Sequence, residues 1–235
     1  MSRTEEIRDG LTTVCERIAR SCEGAGRDPG EVTLVVVTKF FPTSDVRILA
    51  DLGVTDVGDN RHQEAEEKAA HLADMRLTRH FIGSLQSNKA AAVAQYADVV
   101  QSVDRPKLLA GLRRGAHQRG TAGSLLDCLV QVDLDRDPKP GRGGCAPADV
   151  PDLATAIEAA EGLRLRGVMA VAPLGADPAE AFAGLARIAD DVRRAHPDAT
   201  WLSAGMSADL EAAVEHGATH LRVGSAVLGQ RPSVK

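Results

Sequence analysis

The sequence predicts an α/β fold in which eight parallel strands alternate with helices and close into a (β/α)8 barrel. Eight short stretches with strand character recur along 235 residues, and helical patterns lie between most neighbours. Neither an internal repeat nor a domain linker interrupts this alternation, so we expect one domain over residues 1–235. A doubly wound open sheet is the alternative that the same alternation allows.

The first helix and the first strand have the clearest patterns. Ser2 and Glu5 can form a capping box, apolar residues at helical spacing continue to Cys22, and two glycines then end the helix. Six of the seven residues from 32 to 38 are β-branched, and none of the seven is charged. Such a run is typical of a strand that is covered on both faces.

The remaining elements follow in alternation. A helix that Thr43 or Ser44 can cap runs through Leu52, and a charged helix spans 63–71. The proline- and glycine-rich segment 135–151 is too long for a tight turn, so we expect a mobile loop near the barrel mouth. The further strands are predicted over 55–58, 79–83, 98–102, 125–134, 163–171, 201–203 and 219–223.

Composition excludes several classes of function. The net charge of −5 disfavours a protein dedicated to nucleic acid or to an anionic membrane, and the chain has neither a membrane-length apolar run nor a signal-peptide pattern. We therefore expect a cytoplasmic protein. The four cysteines form no CxxC pair and the histidines no metal-ligand spacing, so we expect reduced thiols and no metal site.

Lys39 is the residue whose chemistry matters most. It follows the first strand directly, and functional groups of a barrel lie just after the carboxyl ends of its strands. Desolvation in such a place lowers the pKa of a lysine from its ordinary ~10.4 and makes the amine a better nucleophile toward aldehydes. The alternative is a lysine that only extends its charge into water.

Small residues and hydroxyls follow the last two strands. Residues 203–207 lead into a helix predicted over 208–216, with Ser207 at its N-cap, and Gly224 and Ser225 follow the eighth strand. Backbone N–H groups at helix starts bind phosphate, and barrels commonly do so after these two strands. Each loop alone fits a plain helix cap, but the two together favour a phosphate site.

Two further positions complete the predicted pocket. Asn60 follows the second strand and can both donate and accept hydrogen bonds. Arg222 lies just before the phosphate turn, where its guanidinium would point into the barrel mouth. Its alternative role is a structural ion pair with an acidic residue on a neighbouring strand.

An amine, a phosphate site and an arginine between them describe a pocket for a phosphorylated aldehyde. In pyridoxal 5′-phosphate the aldehyde would meet Lys39, the phosphate the last two loops, and the ring nitrogen Arg222. Because an arginine stays charged, that nitrogen tends to remain unprotonated, and the ring becomes a poorer electron sink. The predicted site forms a Schiff base readily but stabilises carbanions weakly.

Motifs along nearly the whole chain carry a resemblance. They cover residues 35–39, 58–60, 80–89, 102–105, 165–170, 202–207 and 222–225. In this order they closely resemble the pyridoxal phosphate homeostasis protein family, a single-domain relative of the alanine racemase N-terminal barrel. The string Phe-Ile-Gly-x-Leu-Gln-x-Asn-Lys at 81–89 is highly specific.

The resemblance implies a role for each predicted site residue. It implies that Lys39 holds the cofactor as an internal aldimine, that Asn60 lies near the ring, and that Arg222 meets the ring nitrogen. The residues that it places around the phosphate are Ser203, Met206, Ser207, Gly224 and Ser225.

The chain departs from the family pattern at a few positions. Asp59 stands where the family usually has glutamate, Ser84 where it usually has proline, and Ala204 replaces a bulkier residue. The glycine-rich stretch 139–144 is also unusual. Lys139 within it is a candidate for transiently holding a second cofactor molecule.

Three functions use such a site. A racemase of the alanine racemase type needs a second acid/base, usually a tyrosine from an added domain, and we expect the single tyrosine, Tyr96, to pack against the barrel instead. A Schiff-base aldolase needs a carboxylate or tyrosine near Lys39, and the flanking residues 40–42 offer none. A carrier needs only reversible imine formation and phosphate affinity.

We therefore predict a protein without catalytic residues that binds pyridoxal 5′-phosphate, buffers it and hands it on. The racemase is the alternative function, and weak racemase activity as a side reaction is compatible with the prediction. Apo-enzymes that use the cofactor are the expected transient partners, and the expected oligomeric state is a monomer.

Overall fold

Eight parallel strands close into a barrel in which each strand pairs with its neighbours in sequence and the last pairs with the first. The structure, a computed structural model, describes residues 1–119, 125–135 and 143–230. Closure confirms the predicted (β/α)8 barrel and excludes the doubly wound sheet, whose edge strands would remain unpaired. The strands are Thr33–Val37 (β1), Asp56–Asp59 (β2), Thr78–Phe81 (β3), Val99–Val103 (β4), Leu126–Gln131 (β5), Leu163–Met169 (β6), Trp201–Ser203 (β7) and His220–Val223 (β8).

Helices surround this sheet. They are Arg3–Gly24 (α1), Thr43–Asp51 (α2), His62–His71 (α3), Ala90–Tyr96 (α4), Leu109–Gln118 (α5), Val150–Glu158 (α6), Pro178–Ala195 (α7), Leu210–Glu215 (α8) and Ser225–Leu228 (α9), with short 3-10 turns at Pro29–Glu31, Pro106–Leu108 and Pro147–Asp149. Among the described residues, no helix is both long and apolar enough to cross a membrane. The predicted loop 135–151 is described only at its two ends, and Lys139 lies outside the described residues.

The first helix begins as predicted and buries the face that carries Ile7 and Val14. The Ser2 hydroxyl accepts from the Glu5 N–H at 3.3 Å, and the Glu5 carboxylate accepts from the Ser2 N–H at 2.6 Å, which is a complete capping box. Cys15 is exposed, while Val14 is buried. Position 15 is eight residues past Ile7, a rotation of roughly 80° from it, whereas position 14 lies nearly above it.

The apolar core lies mainly between the strands and the helices. Side chains of a strand alternate between its two faces, so every second strand residue points out of the barrel toward the helices. A separate small cluster of Val99, Leu129 and Met169, with Trp201 against it, is enclosed by the sheet. Much of the remaining interior is polar, where His220 lies against His80 and Trp201 and four more buried side chains form a connected group. These are His80, Gln101, Ser203 and Arg222.

Candidate functional site

A cavity of about 490 Å³ opens at the carboxyl ends of β1, β2, β3, β6, β7 and β8, a size typical of sites for small molecules. Seven of the eight predicted site residues line it, and the eighth, Ser203, lies buried beneath its floor. Residues 82–84, after β3, also line it. The seven are Lys39, Asn60, Met206, Ser207, Arg222, Gly224 and Ser225.

Lys39 lies two residues past the end of β1 in a tight turn that α3 holds in place. Phe40 has φ of 70°, in the left-handed region that bulky residues rarely adopt. Its N–H donates to Glu64 Oε1 at 2.5 Å, and the Arg61 guanidinium lies 4.9 Å from its ring centre. These contacts from α3 and from Arg61, just before it, stabilise the backbone that carries Lys39.

A buried cluster of charges lies behind this turn. Lys68 uses its three N–H donors on the Thr38 carbonyl, Asp59 Oδ1 and Glu64 Oε1, at 2.6, 2.9 and 2.8 Å. The Thr38 hydroxyl donates to the other oxygen of Asp59 at 3.1 Å. Burial raises the pKa of Asp59 above its ordinary value even though Lys68 opposes the shift, and the nearby Glu64 adds to it. We call Thr38, Asp59, Glu64 and Lys68 the Lys68 cluster.

Sequence reasoning missed Glu64 and Lys68, although the sequence does hold a signal. Ala65, Lys68 and Leu72 are spaced by three and four residues and are all buried, so a lysine occupies a position of the apolar stripe. Glu64 lies four residues before Lys68, the spacing at which opposite charges meet on a helix.

Arg222 forms the floor of the cavity. Its Nη1 donates to Ser203 Oγ at 2.7 Å and its Nη2 to the Ala170 carbonyl at 2.8 Å, so both hydrogen-bonded partners are neutral groups. Burial lowers the pKa of Arg222 to about 10, which leaves the guanidinium charged at neutral pH.

The hydrogen bonds continue from Arg222 through the barrel interior. Ser203 Oγ donates to Gln101 Oε1 at 2.7 Å, and Gln101 Nε2 lies 2.9 Å from His80 Nδ1. His80 Nε2 lies 2.9 Å from Asp56 Oδ1, at the start of β2. Burial raises the pKa of Asp56, but hydrogen bonds from His80 and Thr55 outweigh it and leave that pKa below its ordinary value. We call these five residues, from Arg222 to Asp56, the interior chain.

The loops after β7 and β8 meet at one side of the cavity. Ser207 Oγ and Ser225 Oγ are 3.4 Å apart. A Cβ on Gly224 would lie 3.1 Å from the Val37 carbonyl oxygen, so glycine permits the close approach of the turn to β1. The predicted N-cap role of Ser207 is wrong, because α8 begins at Leu210 with Asp209 at its cap and Ser207 lies in the preceding turn. Its hydroxyl is directed instead toward Ser225.

Asn60 provides a direct test of whether the cavity fits a polar ligand. Its Oδ1 is buried and has no hydrogen-bond partner among the described residues. A buried acceptor without a partner costs about 1–3 kcal/mol, and a ligand donor at this point would remove that cost. An amine, an orphan acceptor, paired hydroxyls and an arginine therefore surround one space, a set that fits pyridoxal 5′-phosphate.

The described residues that line the cavity include no carboxylate, imidazole, phenol or thiol. Tyr96 packs against the core from α4, as predicted, with its hydroxyl 3.4 Å from His62 Nδ1, and burial raises its pKa. No group of three or more His, Cys, Asp or Glu side chains within the described part of the chain could hold a metal. All four cysteines are unpaired.

Comparison with known proteins identifies the family. The model of the alanine racemase N-terminal domain matches residues 25–232. Pyridoxal phosphate homeostasis proteins of Corynebacterium glutamicum and Mycobacterium leprae are 43% and 40% identical, over 92% and 97% of this chain and 98% and 93% of those proteins. The structure of PipY from Synechococcus elongatus with pyridoxal phosphate bound is 33% identical with a TM-score of 0.80, covering 95% of this chain and all of that one. The chain, with its cavity at the expected end of the barrel, therefore belongs to the pyridoxal phosphate homeostasis protein family within the alanine racemase N-terminal domain fold.

Proposed function

We propose that the protein binds pyridoxal 5′-phosphate as a Schiff base on Lys39, buffers the cofactor and releases it to enzymes that need it. One observation carries the proposal: Lys39, the Ser207–Ser225 pair and Arg222 line a single cavity of about 490 Å³. The names of the relatives and the ligand of PipY support the same cofactor.

Each group at the cavity has one task. Bound pyridoxal phosphate supplies an aldehyde carbon that condenses with a primary amine and releases one water molecule. Lys39 is that amine, and the α3 contacts to Phe40 keep it in place. The Ser207 and Ser225 hydroxyls donate to the phosphate, and Gly224 and Met206 bring the backbone of the two turns near it. Arg222 donates to the ring nitrogen.

The hydrogen bonding of Asn60 and Ser203 supports a more specific role for each of them. Asn60 accepts a hydrogen bond from a polar ring substituent through its orphan Oδ1. Ser203 holds Arg222 at 2.7 Å rather than reaching the phosphate, because its hydroxyl is already shared between Arg222 and Gln101.

The chemistry of the cavity supports binding without turnover. Racemisation needs a second proton donor and acceptor on the far face of the ring, and the described lining residues include none apart from Lys39. Arg222 keeps the ring nitrogen unprotonated and so weakens stabilisation of a carbanion. The proposal includes a monomer in the cytoplasm, with residues 1–235 as one binding domain and apo-enzymes as transient partners.

Borohydride reduction of the protein mixed with pyridoxal phosphate tests the proposal. Peptide mass spectrometry should find one adduct, on Lys39, and Lys39→Ala should lose it while the exposed control Lys107→Ala keeps it. Labelling that is absent or spread over surface lysines would overturn the proposal. The loaded protein should also leave L-alanine and L-serine unracemised over many cofactor equivalents, and sustained turnover would favour the racemase instead.

A further inference from the structure

We propose that Gln101 and His80 are positioning residues that set how Arg222 meets the cofactor ring. With Ser203 they join Arg222 to Asp56 through four consecutive contacts of 2.7–2.9 Å inside the barrel. Neither Gln101 nor His80 lines the cavity, so both would act only through Arg222. The inference rests on the proposed function, because it assigns to Arg222 the ring nitrogen as its ligand.

The two end residues of the interior chain, Arg222 and Asp56, fix the donor-to-acceptor direction of its hydrogen bonds. A guanidinium can only donate hydrogen bonds, so Ser203 must accept from Arg222. An ionised carboxylate can only accept, so His80 must donate from Nε2 to Asp56. The low pKa of Asp56 agrees with an ionised group there.

The middle groups can each both donate and accept, and they align with these ends. With its proton on Nε2, a neutral His80 presents a lone pair at Nδ1, which accepts from the Gln101 amide. Gln101 then turns its carbonyl toward Ser203 and accepts the hydroxyl proton. Every hydrogen bond therefore points from Arg222 toward Asp56.

The opposite orientation of Gln101 is unfavourable with a neutral His80, and only a doubly protonated imidazolium would donate to both Gln101 and Asp56. That orientation would place the amide carbonyl against His80 Nδ1, so a neutral His80 would have to carry its proton there. Nε2 would then direct a lone pair at the Asp56 carboxylate, 2.9 Å away. Two facing acceptors in a buried site lose a hydrogen bond and repel one another.

The aligned chain has a consequence for the cavity floor. Hydrogen bonds in series polarise one another, so the chain carries the influence of the Asp56 charge toward the Arg222 guanidinium, whose hydrogen-bonded partners are neutral groups. The Ser203 and Ala170 contacts also fix the guanidinium plane. Arg222 thus presents a charged donor of fixed orientation to the ring nitrogen.

The direction of the chain can be measured in the cofactor-free protein. Side-chain nitrogen NMR should show a proton on His80 Nε2 and an acceptor-type Nδ1. A wild-type spectrum with a proton on Nδ1, in a neutral ring or in a doubly protonated one, would overturn the inference. This measurement needs no variant and does not depend on whether the cofactor binds Lys39.

The effect on Arg222 can be measured with pyridoxal phosphate labelled with ¹⁵N in the ring. Gln101→Met should move the ring nitrogen signal toward that of a nitrogen without a hydrogen bond and weaken binding about 2- to 12-fold, the worth of one net hydrogen bond. His80→Phe should shift the signal less, because it breaks the chain one link further from Arg222. Gln131→Met, on β5 outside the chain, is the matched control and should leave the signal unchanged.

The two possible failures are distinct. If Gln101→Met folds and binds with a wild-type signal and affinity, the positioning role is wrong and the proposed function stands. If the wild type forms no lysine adduct, the proposed function fails together with the role of Arg222 toward the ring, while the His80 spectrum still decides the direction of the chain.

Discussion

Asp59 shows how one residue can link the stability of the fold to pH. It shares the single positive charge of Lys68 with a second carboxylate, Glu64, in a site almost closed to solvent. Burial therefore raises the pKa of Asp59 in the folded protein above the ordinary 3.8 that it has when unfolded. Between these two values, the folded protein binds more protons than the unfolded chain.

We predict that ionisation of Asp59 lowers the free energy of unfolding as pH rises. Because the folded state binds the extra proton, the free energy of unfolding should increase as pH falls from the raised pKa toward 3.8, and the gain should level off below it. Urea unfolding of the wild type and Asp59→Asn over this range measures the contribution, with the exposed Asp152→Asn as control. If the free energy of unfolding of the wild type, relative to that of Asp59→Asn, rises with pH over this range, the assignment is wrong.

For individual residues, the sequence predicts the site residues that follow strands better than the buried residues that hold those site residues in place. Lys39, Asn60 and Arg222 could be placed because the barrel sends strand ends to one face. Gln101 and Ser203 are 102 positions apart, and only the closed sheet brings their side chains together. Such partners depend on register and packing, which a single sequence does not determine.

Among the elements, α4 and α5 form one of the closest helix contacts of the described structure. A Cβ on Gly115 would lie 2.1 Å from the Ala91 carbonyl oxygen, and one on Gly111 2.7 Å from the Ala90 Cβ. Two glycines four residues apart on α5 therefore let the helix backbones approach.

Replacing Gly115 by alanine should therefore destabilise the protein, by about 1–3 kcal/mol, because the added methyl group forces α5 away from α4. Gly184→Ala on α7 is the matched change, since its Cβ would meet only the end of the Arg187 side chain at 3.9 Å. That variant should gain about 0.5–1 kcal/mol from the loss of glycine's flexibility in a helix. Equal effects of the two changes in urea unfolding would show that the helix contact is not tight.

The ends of the strands were the least predictable part of the elements. The runs predicted over 125–134 and 163–171 leave the sheet at Gln131 and Met169. Val132 and Ala170 are nevertheless buried, and their N–H groups still donate to the Met169 and Ser203 carbonyls at 2.8 and 3.1 Å, so the apolar pattern continues past the strand ends. Apolar periodicity indicates which residues are buried, and burial extends past the residues at which the regular strands end.

At the scale of the whole molecule, closure of the barrel brings the site residues together. Lys39 and Ser225 belong to opposite ends of the described chain, and the pairing of β1 with β8 places them around one cavity. A ligand held by both connects the first and the last strand. Cofactor binding should therefore oppose unfolding of the entire barrel rather than order one loop.

Pyridoxal phosphate at 100 times its dissociation constant should raise the free energy of unfolding by about 2.7 kcal/mol. Lys39→Ala should lose most of this gain, whereas the exposed Lys107→Ala should keep it. Urea unfolding with and without the cofactor makes the comparison. Full stabilisation of Lys39→Ala would mean that phosphate contacts alone hold the ligand.

The position of the Lys68 cluster has a consequence for engineering. Glu64 and Lys68 reach the Lys39 turn from behind and do not line the cavity. The angle at which the amine is presented and the space available to a ligand are therefore set by different residues. Substitutions on one face of α3 could retune how fast the amine captures and releases an aldehyde, while the shape of the binding chamber stays as it is.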